Sequence, residues 1–303
     1  MGHRLESRQL KRTLTSINER GSTLSSNSHE ILASVHRTGY DPDFLGTTLA
    51  PPNLDAEASQ DAVLWDGSNV IPYTHFSLSL SKSRRLARWV AWNIDGTTTK
   101  RLSRSGIDFD KDSRLPEEFQ SGNELYKGNR LDRGHIARRA DLVWGEIAEA
   151  QQANEDSFFY TNIAPQMDDF NQSSQEGIWG QLENALYEQV DVEDLKVSVF
   201  GGPVFQPDDQ VYRGVGLPSE YWKLITFKED GVLKARAFLL TQDLDQLRVA
   251  LAFDEFRVYQ VSVKELEQRT LLEFAEPARL ADDLVSVRTE TIGPLGSIAD
   301  INW

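Results

Sequence analysis

Asn129-Arg130-Leu131-Asp132-Arg133-Gly134-His135-Ile136-Ala137-Arg138-Arg139 is the stretch on which the reading of this chain turns. It gathers a carboxylate, a histidine and four arginines around one glycine. Glycine lets other groups approach the backbone closely, Asp132 and Arg133 can brace one another or a phosphate, and His135 titrates near neutrality. The chain has only 5 histidines, so candidates for a neutral-pH base are few. Taken alone, a histidine among charged residues is ordinarily a surface or satisfied side chain.

The surroundings of this stretch change its weight. The 303-residue chain carries a net charge of −15, which argues against a phosphate-rich ligand. Residues 80–140, however, hold 14 Lys and Arg against 8 Asp and Glu, a local balance of +6 that leaves −21 for the rest. A cationic groove on one face of an acidic protein fits this distribution, and so does a solvated charged surface. The chain has no cysteine, so disulfides and thiolate metal sites are excluded and any metal must sit on Asp, Glu, Asn or His.

Two further stretches carry chemistry. Thr161-Asn162-Ile163-Ala164-Pro165-Gln166 follows the apolar Phe158-Phe159-Tyr160 and reads by itself as a strand end with a turn. In Phe170-Asn171-Gln172-Ser173-Ser174-Gln175-Glu176-Gly177-Ile178-Trp179, Ser173 and Glu176 form a capping box, so a helix starts there with Asn171 just before it. Trp179, Leu182, Leu186 and Val190 make one apolar stripe on that helix, and Glu183 falls inside it. A carboxylate on a buried helix face is costly unless it is paired or faces a cation or a site water. A buried salt bridge to an arginine and a metal-site role both satisfy that requirement. Phosphodiester hydrolysis needs a base, a cation near the scissile phosphate and positive groups for the developing charge. His135 supplies the first, Asn171 and Glu183 supply hard oxygen ligands suited to Mg2+, and nearby arginines supply the last.

Organisation along the chain is that of one large core with an appendage. At 39% hydrophobic and 10% aromatic, there is apolar material for that core. Residues 1–38 are expected to be a helical arm and linker. Leu5, Leu10, Leu14 and Ile17 stand at helical spacing, and Gly21 with the Ser/Asn cluster at residues 25–28 breaks the pattern. Residues 39–303 are expected to be the catalytic domain, beginning with a loop-rich stretch to Asn69. Alternation from Tyr73 predicts a strand, Leu86–Ile94 a second, more buried one, and Asp95-Gly96 a turn. Leu195–Phe200, Tyr221–Phe227 and Leu233–Leu240 are strand-like, and Val261–Phe274 is expected to be helical. The architecture expected is α+β, a mainly antiparallel sheet flanked by helices. No apolar run spans a membrane, and the polar first thirty residues lack a secretory signal, so a cytoplasmic setting is expected, with non-standard export as the alternative.

With Asp132-Arg133-Gly134-His135, Thr161 to Gln166, and Asn171-Gln172 with Trp179 and Leu182-Glu183 in this order, the chain resembles the DNA/RNA non-specific endonuclease family. These are the ββα-metal (His-Me finger) nucleases of the Serratia nuclease and endonuclease G type. The resemblance extends from about Tyr73 to Phe274, with Val199 to Phe205 and Tyr221-Trp222-Lys223 also similar to the family. It implies that His135 is the general base, Asn171 the direct Mg2+ ligand (Mn2+ being the alternative metal), and Glu183 the holder of a metal-bound water. It implies supporting roles for Arg133, Asn162 and Asp132, and an upstream arginine at the transition state. Arg104 is our choice for that arginine, with Arg101 and Arg114 as rivals, and Arg133, Arg138 and Arg139 are the candidates for substrate binding. The implied reaction is sugar-non-specific hydrolysis of DNA and RNA to 5′-phosphate and 3′-hydroxyl ends. No recognition helix or zinc-finger pattern points to sequence-specific reading.

The spacing from Asn171 to Trp179 is longer than in Serratia-type members. Tyr187 stands one turn after Glu183, where some relatives carry an arginine. Two other readings compete: a binding module that kept the fold without catalysis, and a partner-regulated effector of a toxin or defence system. In the latter, the N-terminal arm would join a second copy of the chain or a regulatory partner.

Overall fold

The residues Ala87–Asp95 alternate in two directions, Val90, Trp92 and Ile94 to one face and Trp89 and Ala91 to the other. This is the two-residue period of an extended chain. Both sets are buried, so the strand they form must lie inside a layered structure rather than on a solvated sheet. The computed structural model describes residues 37–167, 184, 195–242, 244, 257–286, 294, 295, 297, 300 and 301. Residues 1–36 of the expected arm fall outside these. So do Asn171, the Ser173–Glu176 capping box, the Trp179–Val190 stripe, Glu183 and Tyr187.

Numbered in chain order, the principal strands are β1 (Ile71–Pro72), β2 (Phe76–Leu80), β3 (Ala87–Asp95), β4 (Leu131–His135), β5 (Ile163–Met167), β6 (Lys196–Val204), β7 (Glu220–Glu229), β8 (Val232–Thr241) and β9 (Arg257–Val261). Seven of them build one sheet in the order β9-β8-β7-β6-β3-β2-β1, with every pair antiparallel. The remaining pair, β4 and β5, forms a separate antiparallel unit. Three helices matter for the site and the core: α1 (Arg139–Leu142), α2 (Ile147–Asp156) and α3 (Val263–Thr270). The architecture is the α+β arrangement expected from the sequence.

Each face of the sheet has its own core. Trp89, Phe200, Trp222 and Leu224 pack against Val263 and Leu266 of α3 and against Tyr40, Leu45 and Leu49 of the early loop. Val90, Trp92, Val199, Ile225 and Phe238 belong to the other core, together with Leu131, Ile136, Leu142, Ala153 and Ile163 of the β4/β5 region. The sheet is thus covered on both sides, which is why its strands read as near-continuous apolar runs. At Gly202 of β6 a side chain has no room, because an added Cβ would sit 2.6 Å from the Arg88 carbonyl oxygen.

Three local expectations are corrected. The strand predicted from Tyr73 starts at Phe76, because His75 adopts φ +69° and Tyr73 N–H already donates to the Phe76 carbonyl at 2.8 Å. Alternation continued through these residues, but a tight turn carries no periodicity signature of its own. Asp95-Gly96 leads into a short 3-10 helix, Gly96–Thr98, capped by the Asp95 carboxylate accepting from Thr97 N–H. The expected helix from Val261 to Phe274 is confined to α3. Ser262 caps its start, Leu271 ends it in the left-handed region, and Leu272–Glu273 then pair with Asn53–Leu54.

Asp156, at the end of α2, is fully buried and ties separate parts of the body together. It accepts from Arg37 at 2.7 Å, from the Thr74 N–H and hydroxyl, each at 2.9 Å, and from Gln152 at 2.9 Å. Removing this carboxylate strands the Arg37 charge and two Thr74 donors. Asp156→Ala is therefore expected to lower the unfolding free energy by about 3 kcal/mol. Urea titration measures it, and a loss under about 1 kcal/mol would overturn the assignment.

Candidate active site

The hairpin of β4 and β5 aligns His135 with Ile163, Gly134 with Ala164, Arg133 with Pro165 and Asp132 with Gln166. The first two sequence motifs are therefore paired strand to strand. Here the reading of Thr161 to Gln166 as a strand end is reversed. Tyr160–Asn162 form a 3-10 turn, and the strand begins at Ile163. The aromatic run before it looked like a strand because it is apolar, and its apolarity serves the wall of the site instead. The hairpin is attached to the main sheet through Pro165, whose carbonyl accepts from the Tyr221 hydroxyl and from Gln242. Gln242 Oε1 also accepts from Met167 N–H at 3.0 Å.

Gly134 is explained by crowding rather than by an unusual backbone angle. A Cβ at this position would lie 2.1 Å from Cδ and Oε1 of Gln166, so the glutamine side chain lies across the glycine. Asn162 is fully buried and bonds to the chain just after the histidine. Its Oδ1 accepts from Ala137 N–H at 3.0 Å, while its Nδ2 donates to the Ala137 carbonyl at 3.0 Å and the Ser157 carbonyl at 3.1 Å. Its own backbone carbonyl accepts from Ile136 N–H at 2.9 Å. The carboxamide is thereby spent on holding the turn that leaves His135.

His135 stands against Phe158 at 5.3 Å, edge to face, and against Phe109 at 5.7 Å. Its Nε2 is buried and has no hydrogen-bond partner among the described residues. Burial first, then the positive charges of Arg139 and Arg104, push its pKa down to about 3. The ring is therefore neutral at physiological pH and retains a lone pair, which is the protonation state a base requires.

The arginines separate by what each one touches. The Arg104 guanidinium sits 5.8 Å over the Phe158 ring that also packs against His135, and the residue is exposed. Arg114 is committed elsewhere, 2.7 Å from the Asp112 carboxylate, 3.0 Å from the Pro72 carbonyl and 4.5 Å over the Tyr73 ring. Arg101 is exposed and does not figure among the charges acting on His135. Arg133 lies over Phe109 at 5.3 Å and Tyr126 at 5.5 Å, donates to the Tyr160 hydroxyl at 3.2 Å, and contacts Asn123. Arg139 donates to the Leu102 carbonyl and to Asn154. Arg138 donates to Asn184 Oδ1 at 2.7 Å, which brings the residue following Glu183 against the first motif. Asp132 is half-buried opposite Gln166.

Sequence reasoning missed the aromatic wall of Phe109, Phe158 and Tyr160 and the buried Lys223. Lys223 is 4% exposed and lines a small cavity shared with His135 and Gln166. The repeated aromatics before Thr161 were a visible signal. Lys223 lay in a stretch similar to the family, but nothing along the chain said that its side chain is buried near His135.

A site of this kind, on a hairpin packed against an antiparallel sheet, defines a class that sequence comparison identifies. A family model of the DNA/RNA non-specific endonucleases matches residues 56–280, and the chain belongs to that family. It is 36% identical over 270 residues to the uncharacterized protein y4fB of Sinorhizobium fredii, a match covering 81% of this chain and 40% of that protein. It is 27% identical to a nuclease of Nostoc sp., over 66% of this chain and 70% of the relative. It is 28% identical to the human mitochondrial nuclease EXOG, over 69% and 57%. The chain thus spans less than half of the first of these relatives and somewhat over half of EXOG. In a crystal structure of the EndoG/EndoGI complex, a chain superposes with a TM-score of 0.55 at 19% identity, covering 71% of this chain and 88% of that one. The fold is accordingly the ββα-metal nuclease fold. Among the described residues no helix is long and apolar enough to cross a membrane.

Two measurements test the local geometry. Asn162→Ala leaves Ala137 N–H and two carbonyls unpaired in the interior, and is expected to lower the unfolding free energy by about 2–4 kcal/mol. Chemical denaturation reads this, and a near-neutral result would contradict the bracing role. The depressed pKa of His135 also has a sign. In the unfolded chain the group binds its proton near about pH 6.5, whereas the folded ring resists protonation down to about 3. Its contribution to stability is therefore complete above the unfolded value and is lost as pH falls towards the folded one. In metal-free protein, stability should fall more steeply below neutrality in the wild type than in His135→Gln. Parallel curves would show the ring is not held neutral.

Proposed function

We propose that the chain is a Mg2+-dependent, sugar-non-specific endonuclease that hydrolyses DNA and RNA phosphodiesters to 5′-phosphate and 3′-hydroxyl ends. The observation that carries this reading is the neutral His135 at the end of β4, with Arg104 and Arg139 acting on it. His135 accepts a proton from the attacking water. Arg104, held over the ring that packs on His135, meets the charge that develops on the phosphate. Arg133, fixed between two aromatic rings, and Arg138 and Arg139 bind the flanking phosphates. Asn162 positions the base through Ala137 and Ile136.

Among the described residues, no group of three His, Asp or Glu side chains comes together to hold a metal. Under this reading the ligands come from the third motif, with Asn171 binding directly and Glu183 through water. Amide and carboxylate oxygens suit a hard cation such as Mg2+, with Mn2+ the alternative. The contact of Arg138 with Asn184, next to Glu183 in sequence, supports a site composed of both motifs. The ion, when bound, supplies positive charge to the phosphate and the leaving oxygen.

Digestion of plasmid DNA and of RNA tests the reading. Purified protein is expected to cut both with Mg2+ and neither with EDTA, and His135→Ala is expected to lose about 10²–10⁴-fold in rate. Arg104→Ala should lower kcat while leaving stability unchanged, whereas Arg114→Ala should chiefly lower stability. Absence of any Mg2+-dependent cleavage by the wild type would overturn the proposal.

A further inference from the structure

The tip of one small hairpin carries a residue that its backbone does not favour. Gln210–Tyr212 and Val215–Leu217 pair with Tyr212 opposite Val215, so Arg213 and Gly214 alone make the turn. Both have positive φ, +50° at Arg213 and +78° at Gly214, which suits the twist of a two-residue hairpin. Glycine takes that conformation freely, and asparagine or aspartate commonly precedes it, whereas an arginine holds it against its own Cβ. Strain of this kind points to a side chain needed at that place.

The side chain is held rather than loose. Arg213 Nη1 donates to the Glu124 carbonyl at 2.7 Å and the Lys127 carbonyl at 2.8 Å, and the guanidinium lies 5.0 Å from the centre of the Tyr212 ring. Arg213 is exposed, and neither its Nε nor its Nη2 has a partner among the described residues. These N–H groups form the edge with which a guanidinium grips a phosphate in two places. Lys127 is exposed beside it, and neither cation has a carboxylate partner among the described residues. The Glu124 carboxylate is taken by Arg85 at 3.3 Å.

The hairpin is tied to the strand that carries His135. Asn129 Nδ2 donates to the Tyr212 hydroxyl at 3.3 Å and to the Leu125 carbonyl at 2.7 Å, while its Oδ1 accepts from Leu131 N–H at 2.9 Å. Leu131 starts β4 and His135 ends it. At about 3.3 Å per residue, these ends stand about 13 Å apart. Successive phosphates of one duplex strand advance about 3.4 Å along the axis, so the strand spans about four of them.

We propose that Arg213, with Lys127 beside it, is a remote phosphate-binding site that grips the nucleic-acid backbone about four or more nucleotides from the bond at His135. The inference deepens the nuclease reading and rests on it for its effect on turnover. Because the contact is to the backbone, DNA and RNA both use it. Long substrates gain affinity from it, and short ones do not reach it.

Fluorescence anisotropy of a labelled long duplex, titrated with full-length protein in EDTA, reads binding without cleavage. A lost phosphate contact lowers the slope of log affinity against log salt by about 0.9. Arg213→Gln should show that fall, so its deficit against wild type shrinks about threefold between about 50 and 200 mM salt. Arg213→Gly, whose new residue suits the turn, should show the same and decides if the glutamine variant does not fold. Lys264→Gln, exposed on α3 at the other face of the sheet, should leave the slope unchanged. In cleavage, Arg213→Gln should raise KM for the long duplex and lower the ratio of long- to short-substrate kcat/KM. An unchanged slope in Arg213→Gly, or an equal fall in Lys264→Gln, would overturn the proposal. An unchanged slope with lowered stability would reduce Arg213 to a cap on the carbonyls of the Asn123–Tyr126 helix. Failure of the nuclease reading is distinguishable, since binding would keep its dependence on Arg213 while no cleavage appeared.

Discussion

The carboxamide of Asn162 is the interaction on which the site depends. It closes both backbone hydrogen bonds of Ala137 and a third to Ser157 in a fully buried setting. An unpaired peptide group in such a place costs far more than a surface bond contributes. That asymmetry gives the turn after His135 a single arrangement. From it follow the direction in which the imidazole leaves β4, the packing of Phe158 against its edge, and the position of the Phe158 ring under Arg104.

Electrostatics then act on a histidine whose position is already set. An isolated basic patch would leave a solvated histidine near its ordinary pKa. Here burial and two nearby guanidinium groups work in the same direction, and both oppose protonation. The local excess of positive charge between residues 80 and 140 thus has two effects. It places guanidinium groups around the β4/β5 pair, and through Arg139 and Arg104 it disfavours the protonated form of His135.

Much of this was legible in the sequence, for identifiable reasons. β3, β6, β7 and β8 announced themselves because strands buried on both faces consist of long apolar runs. α3 was found because Val263 and Leu266 stand at helical spacing, whereas the Ser262 cap and the left-handed Leu271 that bound it were not read. The ordered motifs pointed to His135 and Asn162, and the structure brings them together around one turn. What could not be read was whatever depends on a partner distant in the chain. The commitment of Arg114 to Asp112 and Pro72, and the stacking of Arg104 over Phe158, distinguish the surroundings of arginines that look equivalent in sequence. Gln166 belonged to a recognised motif, yet nothing along the chain said that its side chain crosses Gly134. The turn at His75 was missed because apolar and polar residues continued to alternate through it.

The β4/β5 hairpin shares no strand pairing with the seven-stranded sheet. Its link to the scaffold runs through side chains, including Tyr221 and Gln242 at the Pro165 and Met167 backbone, and through the packing of Ile163 and Leu131. Side-chain links of this kind can be loosened without unzipping a ladder. The pair is thus joined to the sheet by side-chain hydrogen bonds and a shared apolar core rather than by a ladder. The same division makes the hairpin a unit that substitution can retune while the sheet beneath it stays fixed.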